Sequence, residues 1–258
     1  MTGREGYVLL AAGTVLACLV LGAGPANAGP PFLTDDPEPV AYGHYEFYTF
    51  SLGTRTKDGT SGFLPGFEFN YGVIPNGQIH IIVPAAFDSG AGEPTHYGPG
   101  DTELGFKYRF IEEEKEGWRP QVGLYPLLEL PTGDESRGLG AGHPRAFLPL
   151  WVQKSFGDWT TYGGGGYWFN RDPSLGDKDY LFFGWLLQRK ITDKLTLGGE
   201  IFHQTASTIG GKESTGFNLG GFYDIDTHNH LLFSAGRGLQ NAEATNRFSW
   251  YLGWQITW

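Results

Sequence analysis

The sequence contains little cysteine, few basic residues and no long apolar run beyond its first part. Its 258 residues include one cysteine, Cys18, so the chain after it can form no disulfide and no thiolate metal site. There are 18 Lys and Arg against 28 Asp and Glu, and this acidic balance argues against nucleic acid as a partner, because phosphate binding needs a basic face. After residue 28, no segment approaches the roughly 20 apolar residues of a transmembrane helix.

The N-terminal pattern indicates a secretory signal peptide over residues 1–28. An apolar stretch covers about residues 7–21, and residues 26–28 (Ala-Asn-Ala) have the small-x-small pattern of a cleavage site. We therefore predict export and cleavage after Ala28. A retained membrane anchor is one alternative, although the apolar run is short. A lipoprotein is another, since residues 15–18 (Val-Leu-Ala-Cys) resemble a lipobox.

The last residues of the chain alternate between large apolar side chains and small or polar ones. The apolar set occupies every second position: Trp250, Leu252, Trp254, Ile256 and Trp258. A period of two places these side chains on one face of a strand. We expect that face to contact lipid and Tyr251, Gln255 and Thr257 to face a lumen. The alternating aromatics also resemble the C-terminal assembly signal of outer-membrane barrels, so the assembly machinery is an expected partner.

Twelve strand candidates follow the N-terminal segment, and segments rich in Gly, Pro, Asp, Asn and Ser separate them. They cover approximately residues 42–52, 64–73, 77–87, 101–111, 119–130, 146–156, 159–169, 179–191, 195–205, 214–224, 229–237 and 248–258. Long connections, beginning with residues 53–62, follow the odd-numbered strands, and mostly shorter ones follow the even-numbered strands. This alternation predicts an all-β fold, a transmembrane up-and-down antiparallel β-barrel of about 12 strands over residues 42–258. A soluble barrel or sandwich is the alternative.

Residues 29–41 form a leader before the first strand. The segment is rich in proline and acidic residues, which makes it a poor candidate for a ladder strand. We predict a solvated periplasmic leader. The alternatives are a small plug and a cation-binding cluster of Asp35, Asp36 and Glu38. Cation sites need oxygen atoms that converge from several directions, which one short extended segment rarely supplies.

Residues 30–40 (Pro-Pro-Phe-Leu-Thr-Asp-Asp-Pro-Glu-Pro-Val) and residues 43–48 (Gly-His-Tyr-Glu-Phe-Tyr) resemble the opening of a bacterial outer-membrane family. That family is labelled the putative MetA-pathway of phenol degradation family. Residues 101–110 and 128–133 match it as well, and the resemblance covers essentially the whole chain after the signal peptide. The resemblance implies an outer-membrane barrel that acts as a transporter or porin-like channel, in some cases near genes for aromatic degradation. It supplies no catalytic residues.

A set of charged side chains is expected to face the lumen. Its members are Glu46, Glu68, Glu103, Lys107, Arg109, Glu200 and Asp224. We predict passive transport of small solutes, with these residues setting charge selectivity, and we expect Lys107 and Arg109 to pair with carboxylates because buried charges need partners. A filled structural barrel without transport is the alternative. A further hypothesis is that loop 132–145 folds inward and constricts the pore.

An outer-membrane lipid hydrolase is the alternative from a different class. His203 and Thr205 faintly resemble a His-x-Ser motif, but Thr replaces Ser and no acidic residue is placed to orient the histidine. His228 and His230 bracket a turn residue and are expected to be solvated rather than bound to metal. We therefore predict no enzyme activity, no cofactor and no metal. The expected partners are membrane lipid, lipopolysaccharide and a small solute.

Overall fold

The computed structural model describes residues 30–258, so the predicted signal peptide, its cleavage site at Ala28 and Cys18 lie outside the described residues. The described part forms fourteen strands: β1 Tyr45–Arg55, β2 Gly59–Ile74, β3 Gly77–Gly90, β4 His96–Pro99, β5 Thr102–Ile111, β6 Gln121–Leu124, β7 Leu127–Leu130, β8 Arg145–Phe156, β9 Trp159–Phe169, β10 Tyr180–Lys190, β11 Leu195–Gln204, β12 Ser214–Asp224, β13 Asn229–Gln240 and β14 Phe248–Thr257. A 3-10 turn, Glu135–Arg137, and a one-turn helix, α1 Ala242–Thr245, lie in loops.

The fourteen strands make twelve wall segments. Strands β4 and β5 pair with β3 one after the other, and β6 and β7 do the same along β8. Each of these two pairs is one interrupted segment. All neighbours are antiparallel, and β1 pairs with β14, so the sheet closes on itself. The prediction of an all-β, up-and-down antiparallel barrel of about 12 strands is confirmed.

Closure occurs between the first and last strands, as the sequence predicts. Phe47 lies opposite Ile256 across the β1–β14 seam. The amide of Tyr45 donates to the carbonyl of Trp258 at 2.8 Å, and the amide of Trp258 donates back to Tyr45 at 3.1 Å. The two aromatic rings stack with centroids 5.7 Å apart. Trp258 therefore makes the last pair of backbone hydrogen bonds between the two ends of the barrel.

Deletion of Trp258 is expected to impair insertion of the barrel. The deletion removes both closing hydrogen bonds and the stacked ring, so the β1–β14 seam begins one residue later and exposes backbone groups of Tyr45 to the membrane boundary. The measurement is the fraction of membrane-inserted protein that keeps heat-modifiable mobility in gels. Phe248→Ala at the other end of β14 serves as the control. Normal insertion without Trp258 would contradict this role.

Most strands alternate between an outer and an inner face, and the pattern is clearest in β10 and β14. In β10, Leu181, Phe183 and Trp185 are exposed, whereas Phe182 and Leu186 are buried inside the barrel. The β14 set Leu252, Trp254, Ile256 and Trp258 is likewise exposed, and Tyr251 and Gln255 are buried. An exposed apolar belt of this extent needs a non-aqueous surrounding. The alternation thus places lipid outside and a lumen inside, as predicted for β14.

The inner face is not uniformly polar. One cluster of buried apolar side chains consists of Tyr125, Phe147, Trp151, Phe182 and Phe202. A second consists of Tyr48, Phe50, Leu232 and Tyr251. Their rings stand beside buried glutamines and glutamates of the same wall. The lumen therefore combines apolar patches with hydrogen-bonding groups.

The two ends of the barrel differ. The terminal end carries both ends of the barrel chain and mostly short turns, and the loop end carries connections such as residues 131–144 and 205–213. The expected long loop over residues 53–62 is wrong. The amide of Thr56 donates to Gly59 at 2.8 Å, and this tight turn lets β1 and β2 extend to within three residues of each other. The length of a hairpin strand depends on pairing across it, which turn-forming residues alone do not reveal.

Loop 132–145 folds inward as predicted, and its constriction of a pore stays a prediction. Leu139 at its tip is 2% exposed and lies against the inner wall. The Asp101 carboxylate accepts hydrogen bonds from the amides of Gly133 at 2.9 Å and Ala141 at 2.7 Å. One carboxylate thus holds both arms of the loop.

Within residues 30–258, no helix has the length and apolar character that crossing a membrane requires.

Candidate functional site: the lumen and the leader inside it

The leader lies inside the barrel. Thr34 and Asp36 are completely buried, and the segment contacts strands on several sides of the wall. The Ser234 hydroxyl on β13 donates to the carbonyl of Pro31 at 2.5 Å, and the amide of Val40 donates to Gln78 on β3 at 2.7 Å. Residues 30–40 therefore run down the lumen toward the terminal end. The prediction of a solvated leader over 29–41 is wrong for residues 30–40, because their prolines and acids meet partners on the wall.

Glu200 on β11 is the first anchor of the leader. One carboxylate oxygen accepts the amide of Leu33 at 2.9 Å. The other accepts the amide of Thr34 at 2.7 Å and its hydroxyl at 2.6 Å. Asn218 on β12 donates to the first oxygen at 2.6 Å and orients the carboxylate. Glycine at position 184 on β10 leaves room for Thr34, because a Cβ there would collide with the Thr34 hydroxyl.

Lys107 on β5 is the second anchor. Its ammonium lies 2.9 Å from Asp35 and 3.5 Å from Asp36, and 4.7 Å from the ring centre of Tyr125. The ammonium is buried, so the leader carboxylates supply the counter-charge that the wall needs there. Nearer the terminal end, Arg109 lies 3.6 Å from Glu38. The structure thus shows both expected cation pairings, and the carboxylates belong to the leader.

These pairs also decide against the cation-binding alternative for the leader. The carboxylates of Asp35, Asp36 and Glu38 each face a basic side chain of the wall. Among residues 30–258, no group of three or more His, Cys, Asp or Glu side chains is arranged to hold a metal ion.

Three predicted carboxylates surround a buried polar chain on β1, β2 and β3. Glu46 accepts the Tyr48 hydroxyl at 2.7 Å, and Glu68 accepts the Asn70 amide at 2.8 Å. The centre of this chain is His80, which is not among the residues predicted from the sequence. Its inward position on the predicted third strand, two residues from Gln78, was the available signal.

His80 joins that chain to the third carboxylate. Nδ1 lies 2.9 Å from Oδ1 of the Asn70 side chain, and Nε2 lies 2.9 Å from the Glu103 carboxylate. Because both ring nitrogens face acceptor oxygens, the geometry matches a doubly protonated imidazole.

Asp224, the last predicted lumen residue, lies apart from the others. It ends β12 at the terminal rim, is partly exposed, and pairs with His230 at 2.6 Å. The seven predicted residues are therefore all on inner faces, but they form three groups: the Glu200 anchor, the cluster around Lys107 and His80, and the rim pair.

A chamber of about 780 Å³ occupies the lumen at the loop end. Residues Pro30–Leu33 of the leader form one side of it, and loop residues near Lys57, Thr208 and Thr245 form another. Aromatic side chains contribute much of the wall: Phe50, Phe182, Phe202 and Tyr251. The leader separates this chamber from the terminal half of the lumen.

A second chamber of about 420 Å³ adjoins the first beneath the inward loop. Leu139, Glu103 and the Glu129–Arg145 ion pair line it. Thr54 on β1 lines both chambers and so stands at their boundary.

The residues proposed for the hydrolase alternative do not form a nucleophile pair. The Thr205 hydroxyl accepts the amide of Leu181 at 2.9 Å. His203 Nδ1 lies 2.8 Å from the hydroxyl of Thr215, and that hydroxyl donates to Gln240 at 2.8 Å. The imidazole is therefore the donor in this pair, the opposite of what a general base requires. The alternative is not favoured.

An apolar exterior, a hydrogen-bonded interior and closed antiparallel strands define a transmembrane β-barrel of the outer-membrane class. The sequence matches the family described as "Putative MetA-pathway of phenol degradation" over residues 34–255. The chain belongs to this family.

Two solved structures share the fold. The COG4313 outer membrane channel from Pseudomonas putida F1 is 17% identical, with a TM-score of 0.72, and the match covers 90% of this chain and 100% of that one. The NanC porin is 7% identical, with a TM-score of 0.56, over 82% of this chain and 98% of that one. No curated protein sequence matches the chain. In barrels of this class the short turns face the periplasm, so the loop end faces outward.

Proposed function

We propose that this protein is an outer-membrane channel for small, weakly polar or aromatic solutes, closed at rest by its leader. The observation that carries the proposal is the aromatic-lined chamber of about 780 Å³ at the loop end, with the leader across its inner side. Both fold relatives with high coverage are described as a channel or a porin.

The charges of the lumen support an uncharged solute. Few charged side chains line the chamber, and Lys57 and Asp58 among them pair with each other at 3.1 Å. The cations Lys107 and Arg109 lie beyond the leader and are occupied by its carboxylates. We therefore assign three of the seven predicted selectivity residues, Lys107, Arg109 and Glu200, a different role, which is to hold the leader rather than to select ions.

Filling the chamber is expected to abolish transport. Thr54→Trp places an indole at the boundary of the two chambers, whereas Thr49→Trp adds the same ring to the exposed face of the same strand. The measurement is uptake of radiolabelled naphthalene by cells that produce each variant, with glucose as the polar comparison. We expect Thr54→Trp to reduce naphthalene uptake to the level of cells without the protein and Thr49→Trp to retain it.

Two outcomes would contradict the proposal. If glucose uptake rises with the protein as much as naphthalene uptake, the barrel is a general polar pore. If neither solute enters faster with the wild-type protein or with Glu200→Ala, which frees the leader, the second candidate holds, a filled structural barrel. The leader and its paired charges inside the lumen favour that candidate over an empty pore.

A further inference from the structure

Two arginines lie on the lipid-facing side of the barrel at its loop end. Arg55 ends β1 and pairs in register with Phe248 of β14. On β13, Gly236 pairs with Ser249, so the next position, Arg237, comes beside Phe248. All three side chains are exposed. Arg237 follows Leu231, Phe233 and Ala235 at every second position, so it belongs to the same lipid-facing row. We call Arg55 and Arg237 the rim arginines.

The depth of the rim arginines matches the outer boundary of the hydrocarbon. The row from Phe248 on β14 to Trp258 takes ten strand steps, which is about 33 Å along a strand. At a strand tilt of about 40°, this length corresponds to about 25 Å across the membrane, the height of the apolar band in such barrels. The rim arginines therefore lie at the level of the outer leaflet's head groups.

Neither rim arginine has an acidic partner among residues 30–258, although the chain carries a formal net charge of −10. The other cations nearby are neutralised: Lys57 pairs with Asp58 at 3.1 Å, and Arg247 with Glu243. At the opposite end, Lys190 pairs with Asp193 at 3.0 Å, and Arg189 lies over the ring of Trp159. Among these outward cations, the rim arginines are the two neighbouring ones that contact neither a carboxylate nor a ring in the part of the chain that the structure describes.

The rim arginines have the chemistry of a phosphate site. Adjacent strands are about 4.8 Å apart, so two strand steps put the two backbones about 10 Å apart, within joint reach of two arginine side chains. Guanidinium groups bind phosphate oxygens in a bidentate manner. Below them, Phe248 and Leu252 offer an apolar surface to acyl chains, and Leu239 on β13 is 62% exposed beside them.

We propose that the rim arginines bind a phosphate of the lipid A moiety of lipopolysaccharide. Phosphorylated head groups are recognised by clustered basic residues at the membrane surface. Lipid A combines such phosphates with acyl chains long enough to follow the exposed β13–β14 surface. This inference depends on the outer-membrane orientation of the barrel and not on transport.

The test is lipid retention by the purified full chain in detergent, measured by native mass spectrometry. The probes are bisphosphorylated lipid A, dephosphorylated lipid A and phosphatidylglycerol. We expect the wild-type protein to prefer bisphosphorylated lipid A over both others. Arg55→Ala with Arg237→Ala is expected to weaken its binding at least about tenfold, the effect of losing one charge-assisted hydrogen bond. The matched control is Arg189→Ala with Lys190→Ala, which removes the same charge at the periplasmic end.

Three results would overturn the proposal. Equal retention of phosphorylated and dephosphorylated lipid A by the wild type shows that phosphate is not recognised, and this comparison stands even if the double variant fails to fold. Equal loss in the control pair shows a general charge effect. Displacement of lipid A by millimolar inorganic phosphate shows a simple anion site. Heat-modifiable gel mobility establishes that each variant is folded.

Discussion

Replacing Glu200 by alanine is expected to release the leader and open the channel. The Glu200 carboxylate accepts three hydrogen bonds from Leu33 and Thr34. A hydrogen bond to a charged group contributes about 1.5–3 kcal/mol, so losing two of them shifts the balance between seated and released leader by about 100-fold or more. Single-channel recording in planar bilayers measures the effect as a larger open fraction.

Two further variants separate leader release from a general loosening of the barrel. Asp224→Ala removes another inward carboxylate that has no contact with the leader, and it is expected to leave the open fraction unchanged. Gly184→Leu drives a side chain into the position of Thr34 from β10, the strand next to β11, and it is expected to open the channel as Glu200→Ala does. Unchanged currents in both Glu200→Ala and Gly184→Leu would refute the closing role of the leader.

Replacing Trp185 by arginine is expected to destabilise the barrel strongly. Trp185 lies midway along β10 on the outer face, is 55% exposed, and covers the glycine at position 163 of β9. An arginine at the bilayer midplane of a β-barrel costs about 2–4 kcal/mol. Denaturant titration of the protein in lipid vesicles, followed by gel mobility, gives the free energy of unfolding.

The control is the same tryptophan-to-arginine substitution at a water-exposed position. Trp118 lies in the connection between β5 and β6 at the periplasmic end and is 87% exposed. Trp118→Arg is expected to change the free energy of unfolding by less than about 0.5 kcal/mol, the usual range for a surface substitution. Equal effects of the two substitutions would mean that the exposed face of β10 does not contact lipid.

The sequence predicts the lipid-facing position of Trp185, but it does not predict that the leader lies against Glu200. Trp185 and the β14 row follow from alternation, because a closed barrel with lipid outside forces a period of two on every wall segment. Neighbouring residues are sufficient to show that pattern. The same period places Glu46, Glu103, Lys107 and Glu200 on inner faces, where the structure has them.

The position of the leader does not follow from local sequence. The prolines and acids between residues 30 and 40 give this segment the composition of a solvated one. The wall residues that bind it inside the barrel are far along the chain. Thr34 bonds Glu200 over 166 positions, and Lys107 reaches Asp35 over 72. A buried polar segment becomes stable only when such distant groups satisfy it. His80 was missed for the same reason, since its acceptors come from other strands.

The sequence by itself determined the class of this protein, a wall of about 12 strands, the inner and outer faces of the clearly alternating strands and the seam at Trp258. These properties arise from a repeat of two residues and from the contrast between lipid and water across a single wall. Only the tertiary structure decided what fills the lumen and where the rim arginines meet. Those properties depend on the register of the closed sheet, which brings Glu200 to Thr34 and places Arg237 and Arg55 on either side of Phe248.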